Sequence, residues 1–298
     1  FDLHTHTSCS FDSTTSPEQL VKAAFRVGLA GLAVTDHNSV KSVANTIRAA
    51  GEELTVIPGI ECRTRQGDLI GLFISERPAG RSMVEAADQI KEMGGLVVLP
   101  HPYSYLRGSS YSPQEMSLVT ELDAIETFNA RNVFQGLNEK AERLAARFSK
   151  TRVGGSDAHT PGEVGRGYTL FACREEDEVR RAILSGETDV GGTLSPFTVR
   201  VYSIAARIRK RRLSQDRLDH RAPPCAISDT SEYASRPTIR LIPSNLPHQP
   251  ARWCSGQAWR ALEGKPWKGT RRDPLIGSSN LGREKSERQS PPGYYSHR

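Results

Sequence analysis

Long apolar runs are missing from this chain. In its 298 residues no run of about 18 consecutive apolar residues occurs, which excludes a helix spanning a bilayer. Cysteine is sparse as well. Cys9, Cys62, Cys173, Cys225 and Cys254 are odd in number, scattered, and never form a CxxC pair. That argues against a disulfide scaffold or a thiolate zinc site and fits a reducing compartment. A Gly-x-Ser-x-Gly elbow is absent, and no Walker lysine follows Gly154-Gly155-Ser156-Asp157, so neither a serine hydrolase nor a P-loop is indicated. A covalent nucleophile at Ser8, Cys9 or Ser10 would need an activating base, and the nearest in sequence, His6, belongs to another pattern. No secretory signal pattern shows, and the expected location is the cytoplasm.

Two further absences divide the chain. Valine does not occur after Val201, and tryptophan occurs only as Trp253, Trp259 and Trp267. Charge divides at the same place. Residues 207–298 hold 19 Lys+Arg against 8 Asp+Glu, which leaves 21 against 26 for residues 1–206. The overall +6 is therefore a basic tail of +11 attached to an acidic part of −5. The tail opens on Arg207-Ile208-Arg209-Lys210-Arg211-Arg212 and carries ten of the 18 prolines. Such a composition predicts disorder over 206–298. Its basic run reads either as a tether for nucleic acid or as a solvated tail, and an out-of-frame extension is a third reading.

What residues 1–205 do contain is an alternation of short apolar runs with amphipathic stretches. Strands are predicted at Phe1–His6, Leu32–Asp36, Thr55–Pro58, Leu69–Ile74, Leu96–Leu99, Ala124–Phe128, Arg152–Gly154 and Tyr168–Ala172. Helix starts are marked by Ser16-Pro17-Glu18-Gln19, Ser82-Met83-Val84-Glu85 and Ser112-Pro113-Gln114-Glu115. Gly28, Gly51 and Gly94 fall where helices should stop. This grammar predicts an α/β domain with a mostly parallel sheet or barrel.

Histidine carries the chemistry. Five of the eight (His4, His6, His37, His101, His159) lie in this domain, each at or just past the C-terminal end of a predicted strand. Asp2, Asp36, Glu61, Glu126 and Asp157 flank the same ends. Active sites of α/β barrels and open sheets lie at those ends, so blocks far apart in sequence converge on one cleft. On an extended strand His4 and His6 share a side, as do Asp157 and His159. Imidazole and carboxylate without thiolate suit zinc, manganese or iron. More than four such ligands suit a two- or three-metal hydrolytic centre.

The motifs Asp2-x-His4-x-His6, Thr35-Asp36-His37, Gly59-x-Glu61, Pro100-His101-Pro102 and Ser156-Asp157-x-His159 together resemble the PHP (polymerase and histidinol phosphatase) superfamily over residues 1–205. The resemblance implies a distorted (β/α)7 barrel and a phosphoesterase with two or three divalent ions, Mn, Zn or Fe. Carried over by position, one ion takes His4, His6, Glu61 and Asp157. A second shares Glu61 and adds His101, and a third takes His37, His159 and Asp12. Where many relatives place a histidine after the Glu61 motif this chain reads Gly67-Asp68-Leu69, which leaves Asp68 as a substitute ligand or the second site weak. Arg131 and Arg166, with Arg107 third, are candidates to bind phosphoryl oxygens. Asp36 either orients His37 or donates a proton to the leaving group, and Glu126 is expected to hold a ligand histidine. The implied substrate is a small phosphate ester, a nucleotide or an oligonucleotide end. The alternatives are a 5′–3′ exonuclease of the same family and a nucleic-acid-associated module on a degenerate scaffold with a basic tail.

Overall fold

Seven strands run in sequence order around one sheet: β1 (Asp2–Thr5), β2 (Gly31–Val34), β3 (Thr55–Arg63), β4 (Asp68–Leu72), β5 (Leu96–Leu99), β6 (Ala124–Asn129) and β7 (Thr151–Gly155). The computed structural model describes residues 1–104 and 116–219. Arg107, the loop 106–112, the helix start at Ser112 and the chain beyond Asp219 lie outside the described residues. Between and after the strands lie α1 (Pro17–Arg26), α2 (Val43–Ala50), α3 (Met83–Glu92), α4 (Met116–Glu121), α5 (Gln135–Arg147) and α6 (Glu176–Ser185). Capping boxes at Ser16/Gln19 and Ser82/Glu85 start α1 and α3 where the sequence pattern places them. Gly28 (φ +73°) and Gly94 (φ +77°) take the left-handed turns that follow.

The sheet is nearly closed. Asp157 N–H donates to the His4 carbonyl at 2.7 Å and His6 N–H to the Ala158 carbonyl at 2.9 Å, which stitches the end of β7 to β1. A two-stranded ribbon, β8 (Gly167–Leu170) and β9 (Asp189–Gly192), covers that seam, with Thr169 bonded to both Phe1 and Gly154. Within the seven-stranded sheet the ladders are parallel except where β4 pairs antiparallel with β3 and β5, and the β8–β9 ribbon is antiparallel. The reversal follows from a tight turn: Thr64 donates through its N–H (2.9 Å) and hydroxyl (2.6 Å) to the Gly67 carbonyl. The α/β fold is thus a distorted seven-stranded barrel.

One apolar cluster lines the barrel, taking Leu3, Ala33, Ile57, Ile70, Val98, Ala124 and Val153 from successive strands. Helix α6 adds Val179 and Ile183 to it. That helix sits at the N-terminal strand ends, where Thr55 and Thr151, the first residues of β3 and β7, bond to Arg174 and Ile183. Burying so many branched side chains at ~25 cal/mol per Å² supplies the main driving force for closure. The opposite end is left to polar groups.

Three expectations need correcting. Strand β3 continues past the predicted Pro58 to Arg63, so Glu61 sits within the strand instead of beyond its end, and β9 is an additional strand rich in glycine. Asp157 is not extended, since its φ is +55°. Residues 206–219, read as the start of a disordered tail, continue α7 (Thr198–Asp219).

Candidate metal centre

Every predicted histidine block ends up at the C-terminal pole of the barrel. Two irregularities aim the side chains there. The β1–β2 register slips between Asp2 and Thr5, and the β6–β7 register between Glu126 and Phe128. As a result Leu3 joins the apolar interior while His4 faces the carboxylates. Gly155 permits the approach of β7, because a Cβ there would stand 2.4 Å from the His4 Cβ.

Glu61 is the hub. Its Oε2 lies 3.5 Å from His4 Nε2, 3.4 Å from His6 Nε2 and 2.9 Å from His37 Nδ1, and its Oε1 lies 3.1 Å from His101 Nε2. Asp157 Oδ1 stands 3.8, 3.4 and 3.4 Å from His4, His6 and His159. Asp12 Oδ1 bridges His37 (3.5 Å) and His159 (3.2 Å). All of these carboxylates are buried. Three groupings are tight enough to share an ion: His6, His37 and His159; His4, Glu61 and His101; His4, His6 and Asp157.

The donor set fits divalent cations, and the hydrogen bonds show why. Ser10 Oγ gives its proton to Asp36 Oδ1 at 2.7 Å, so it accepts from His6 Nδ1 at 3.0 Å, and His6 Nε2 keeps a lone pair. His4 Nδ1 donates to Glu126 Oε1 at 3.0 Å, and its Nε2 points at His6 Nε2 from 3.1 Å. The two ring nitrogens are close enough to share one proton in a hydrogen bond or, both deprotonated, to turn their lone pairs on one ion. Asp12 Oδ1 and Glu61 Oε2 are likewise buried and accept no hydrogen bond, despite the nearby rings. Leaving such charges unneutralised is costly in a low-dielectric interior.

The protonation equilibria report the same demand. Burial would lower His4, but the charges of Glu126 and Glu61 outweigh it and raise its pKa to about 10. Burial opposes the rise at His37 too, where Glu61 and Asp12 prevail and bring it to about 9. His159 is pushed down to about 3 by burial and by the charge of Arg131. Burial also works against Glu61, yet His37 and His4 hold it well below the usual carboxylate range.

The remaining predicted residues sit differently. Asp36 is fully buried and accepts from Thr7 N (2.7 Å), Thr7 Oγ1 (2.6 Å), Ser10 Oγ and Ser42 Oγ. It fixes the loop after β1 and acts on His6 through Ser10; a proton donor to the leaving group would need to face the cluster. Asp68 pairs with Arg63 (3.1 Å) and joins none of the ligand groupings. The buried Arg131 pairs with Glu163 (3.1 Å) and donates to Ser203 Oγ (2.7 Å). Arg166 reaches the carbonyls of Gly162 and Leu194, both at 3.4 Å. Both arginines therefore bind protein segments together instead of presenting an unengaged fork.

For several contributors the sequence pattern indicated no particular role. Glu163 accepts from the His159 and Thr160 amides at 3.1 and 3.0 Å. Asn129 donates to Glu126 (3.0 Å) and Asp157 (3.1 Å). Asp2, ahead of the His-x-His pair, accepts from Ser156 N and Gly165 N, both at 2.8 Å, and holds the turn that carries Asp157. Phe11 lies over the cluster, its ring 4.7 Å from that of His37 and nearly parallel to it.

A barrel with buried imidazoles and carboxylates at the C-terminal strand ends defines a metal-dependent hydrolase. The chain belongs to the PHP domain family, which matches residues 2–154, with a PHP-associated match over 135–188. It is 36% identical over 141 residues to an uncharacterized protein of Methanocaldococcus jannaschii, MJ1587, covering 43% of this chain and 81% of that one. A second protein of the same organism, MJ0417, is 32% identical over 176 residues, covering 57% of this chain and 70% of the other. Similarity to the 5′–3′ exoribonuclease Rnm of Escherichia coli is 39% over 67 residues, 22% of each chain. Among solved structures, a two-domain protein of Bacteroides vulgatus containing a predicted PHP-like metal-dependent phosphoesterase superposes with a TM-score of 0.57 at 22% identity over 64% of each chain. That likeness concerns the fold.

Proposed function

We propose that the chain hydrolyses a phosphate ester with divalent ions held in two or three adjoining sites. His4, His6, Glu61 and Asp157 form the first, Glu61 and His101 the second, and His37, His159 and Asp12 the third. The observation that carries the reading is the approach of His4 Nε2 and His6 Nε2 to 3.1 Å beside carboxylate oxygens that accept no hydrogen bond. Divalent ions bound there supply an activated water and positive charge for the phosphoryl oxygens. The oxygen and nitrogen donors suit manganese, zinc or iron.

The protein's own share is positioning and exclusion of water. Glu126 fixes the His4 ring and Ser10 that of His6, so each presents Nε2 to the centre. The ring of Phe11 roofs His37. A cleft of about 580 Å³ lined by Cys9, Asn38, Ser39, Val40, Lys41 and Arg77 begins at the residue after His37. Its size suits the leaving group of a nucleotide. A nucleotide or an oligonucleotide end is the substrate these features favour, and the short match to the exoribonucleases points the same way. A degenerate scaffold is disfavoured, because all the expected ligands except Asp68 assemble.

Turnover of a generic aryl phosphate with manganese tests the reading. Activity should vanish on chelation and return with the metal. Hydrolysis that persists after complete chelation would contradict it.

A further inference from the structure

Helix α7 presents two unlike faces. Toward the barrel it turns Ser203 and Ala206, both buried. It is fastened there by Arg131, which donates to Ser203 Oγ at 2.7 Å, and by Arg207, whose Nη2 lies 3.3 Å from Asp12 Oδ2. The Lys210 ammonium meets the carbonyls of Ser8 and Ser10. These bonds set the rotation of the helix about its axis and so fix what its outer face shows.

That outer face is apolar. Val201, Ile204 and Ile208 are 60%, 56% and 48% exposed, and Phe197, the residue before the helix, continues the row with 69% of its surface exposed. Intervals of three and four residues keep a row on one side of an α-helix. At about 3.6 residues per turn, the midline of Val201, Ile204 and Ile208 falls about 160° from that of Ser203 and Ala206, nearly opposite the barrel. A helix serving only the barrel would turn its larger apolar groups inward and its small and polar ones outward. Here the order is reversed. Phe134, 70% exposed, lies on a segment that runs beside the start of the helix, since Ser195 N–H donates to the Ala130 carbonyl at 2.7 Å.

Charge selects the partner for this face. Over Thr198–Asp219 the sequence holds Arg200, Arg207, Arg209, Lys210, Arg211, Arg212 and Arg217 against Asp216 and Asp219, a balance of 7 − 2 = +5. A second copy pairing through α7 would set two such charges side by side. A folded protein partner needs a surface shaped to a single convex ridge, whereas lipid conforms to it. An anionic bilayer surface meets both demands, taking the row into the boundary between headgroups and acyl chains and the cations among the headgroups. Arginine and lysine stems can lie along such a boundary while their charges stay in water. No helix among the described residues is long and apolar enough to cross a membrane, so the contact is with the surface.

We propose that the outer face of α7 binds an anionic lipid surface. Val201, Ile204 and Ile208 enter the apolar boundary, and the exposed Arg209 meets the headgroups. The bonds from Arg131 and Arg207 hold the barrel to the helix, so the whole domain approaches the surface in one orientation. This binding is independent of what the barrel hydrolyses.

The test is sedimentation of the full chain with vesicles of phosphatidylcholine alone and of phosphatidylcholine with about 30% phosphatidylserine. Wild type should sediment with the anionic vesicles, less so as salt rises, and not with the neutral ones. I204S/I208S should weaken that binding at least about tenfold, since each methylene buried in lipid contributes about fourfold. R209A should weaken it about fivefold, the contribution of one cation near such a surface. Both variants should keep the circular dichroism spectrum of wild type, because the substituted side chains face solvent. Should I204S/I208S misfold, V201S alone replaces it, with a loss of about fourfold expected. Equal binding by wild type and a folded row variant overturns the proposal, since charge elsewhere on the chain would then account for the adhesion. So does a wild type that leaves the anionic vesicles in solution. Sedimentation equilibrium without lipid examines the second copy. A dimer that the row variants dissociate would assign the face to self-association and likewise overturn the proposal.

Discussion

The inner cluster and its rim are built on different principles. His4, His6, His159 and Asp157 are buried, and each is held from behind by a second group: Glu126, Ser10, Glu163 and Asn129 respectively. Phe11, Arg63 and Arg207 are half exposed and held by ring contacts and single ion pairs. Exposed pairs of that kind contribute about 0–1 kcal/mol, whereas uncompensated buried charge costs several. The difference assigns rigidity to the buried cluster and adaptability to its rim.

Removing the hub should break the inner region most. Glu61→Gln keeps the size and removes the charge shared by four histidines, and kcat/KM for an aryl phosphate should fall at least about a thousandfold, since metal charge stabilisation is worth several kcal/mol. A loss under tenfold would show that Glu61 is not shared. Next, Glu126→Gln should weaken metal affinity by 10- to 100-fold, read by equilibrium dialysis. Unchanged affinity would leave Glu126 no role behind His4. Ser10→Ala should act in the same direction more weakly, about tenfold, because only a neutral hydroxyl is lost.

Metal also links the two regions to stability. Ions that bind only the folded chain, at about 100 times their dissociation constant, add roughly 2.7 kcal/mol. For a domain of this size chelation should then lower the melting midpoint by roughly 5–10 °C. An identical midpoint with and without metal would mean that the carboxylates are neutralised some other way. By contrast, Ile57→Ala in the fully buried barrel lining should cost about 2–5 kcal/mol of stability. Its turnover per folded molecule, measured well below the midpoint, should stay near that of wild type.

How much of this was legible in the sequence follows from distance along the chain. Strand ends, capping boxes and the histidine blocks are local patterns, and the barrel brings them together because parallel strands share one pole. The Arg63–Asp68 pair was not legible, because it depends on the β3–β4 register that sets those residues opposite each other. Arg131 and Arg166 were recognisable as arginines near the site, but their partners, Glu163 with Ser203 and the Gly162 and Leu194 carbonyls, emerge only in the folded chain. Arg207 looked like part of a solvated run. It meets Asp12 across 195 residues because Ser203 and Ala206 pack one face of α7 onto the barrel. Periodicity alone could not show that docking, since the buried positions are Ser203 and Ala206 while Val201, Tyr202, Ile204 and Ile208 are exposed.

The proposed activity depends on buried imidazole and carboxylate groups holding divalent ions. His4→Ala and Asp157→Ala, assayed for aryl phosphate turnover with manganese beside metal content and circular dichroism, put that dependence to the proof. Both variants should fold, bind less metal and have no turnover. Turnover retained in both would refute the metal-centre reading.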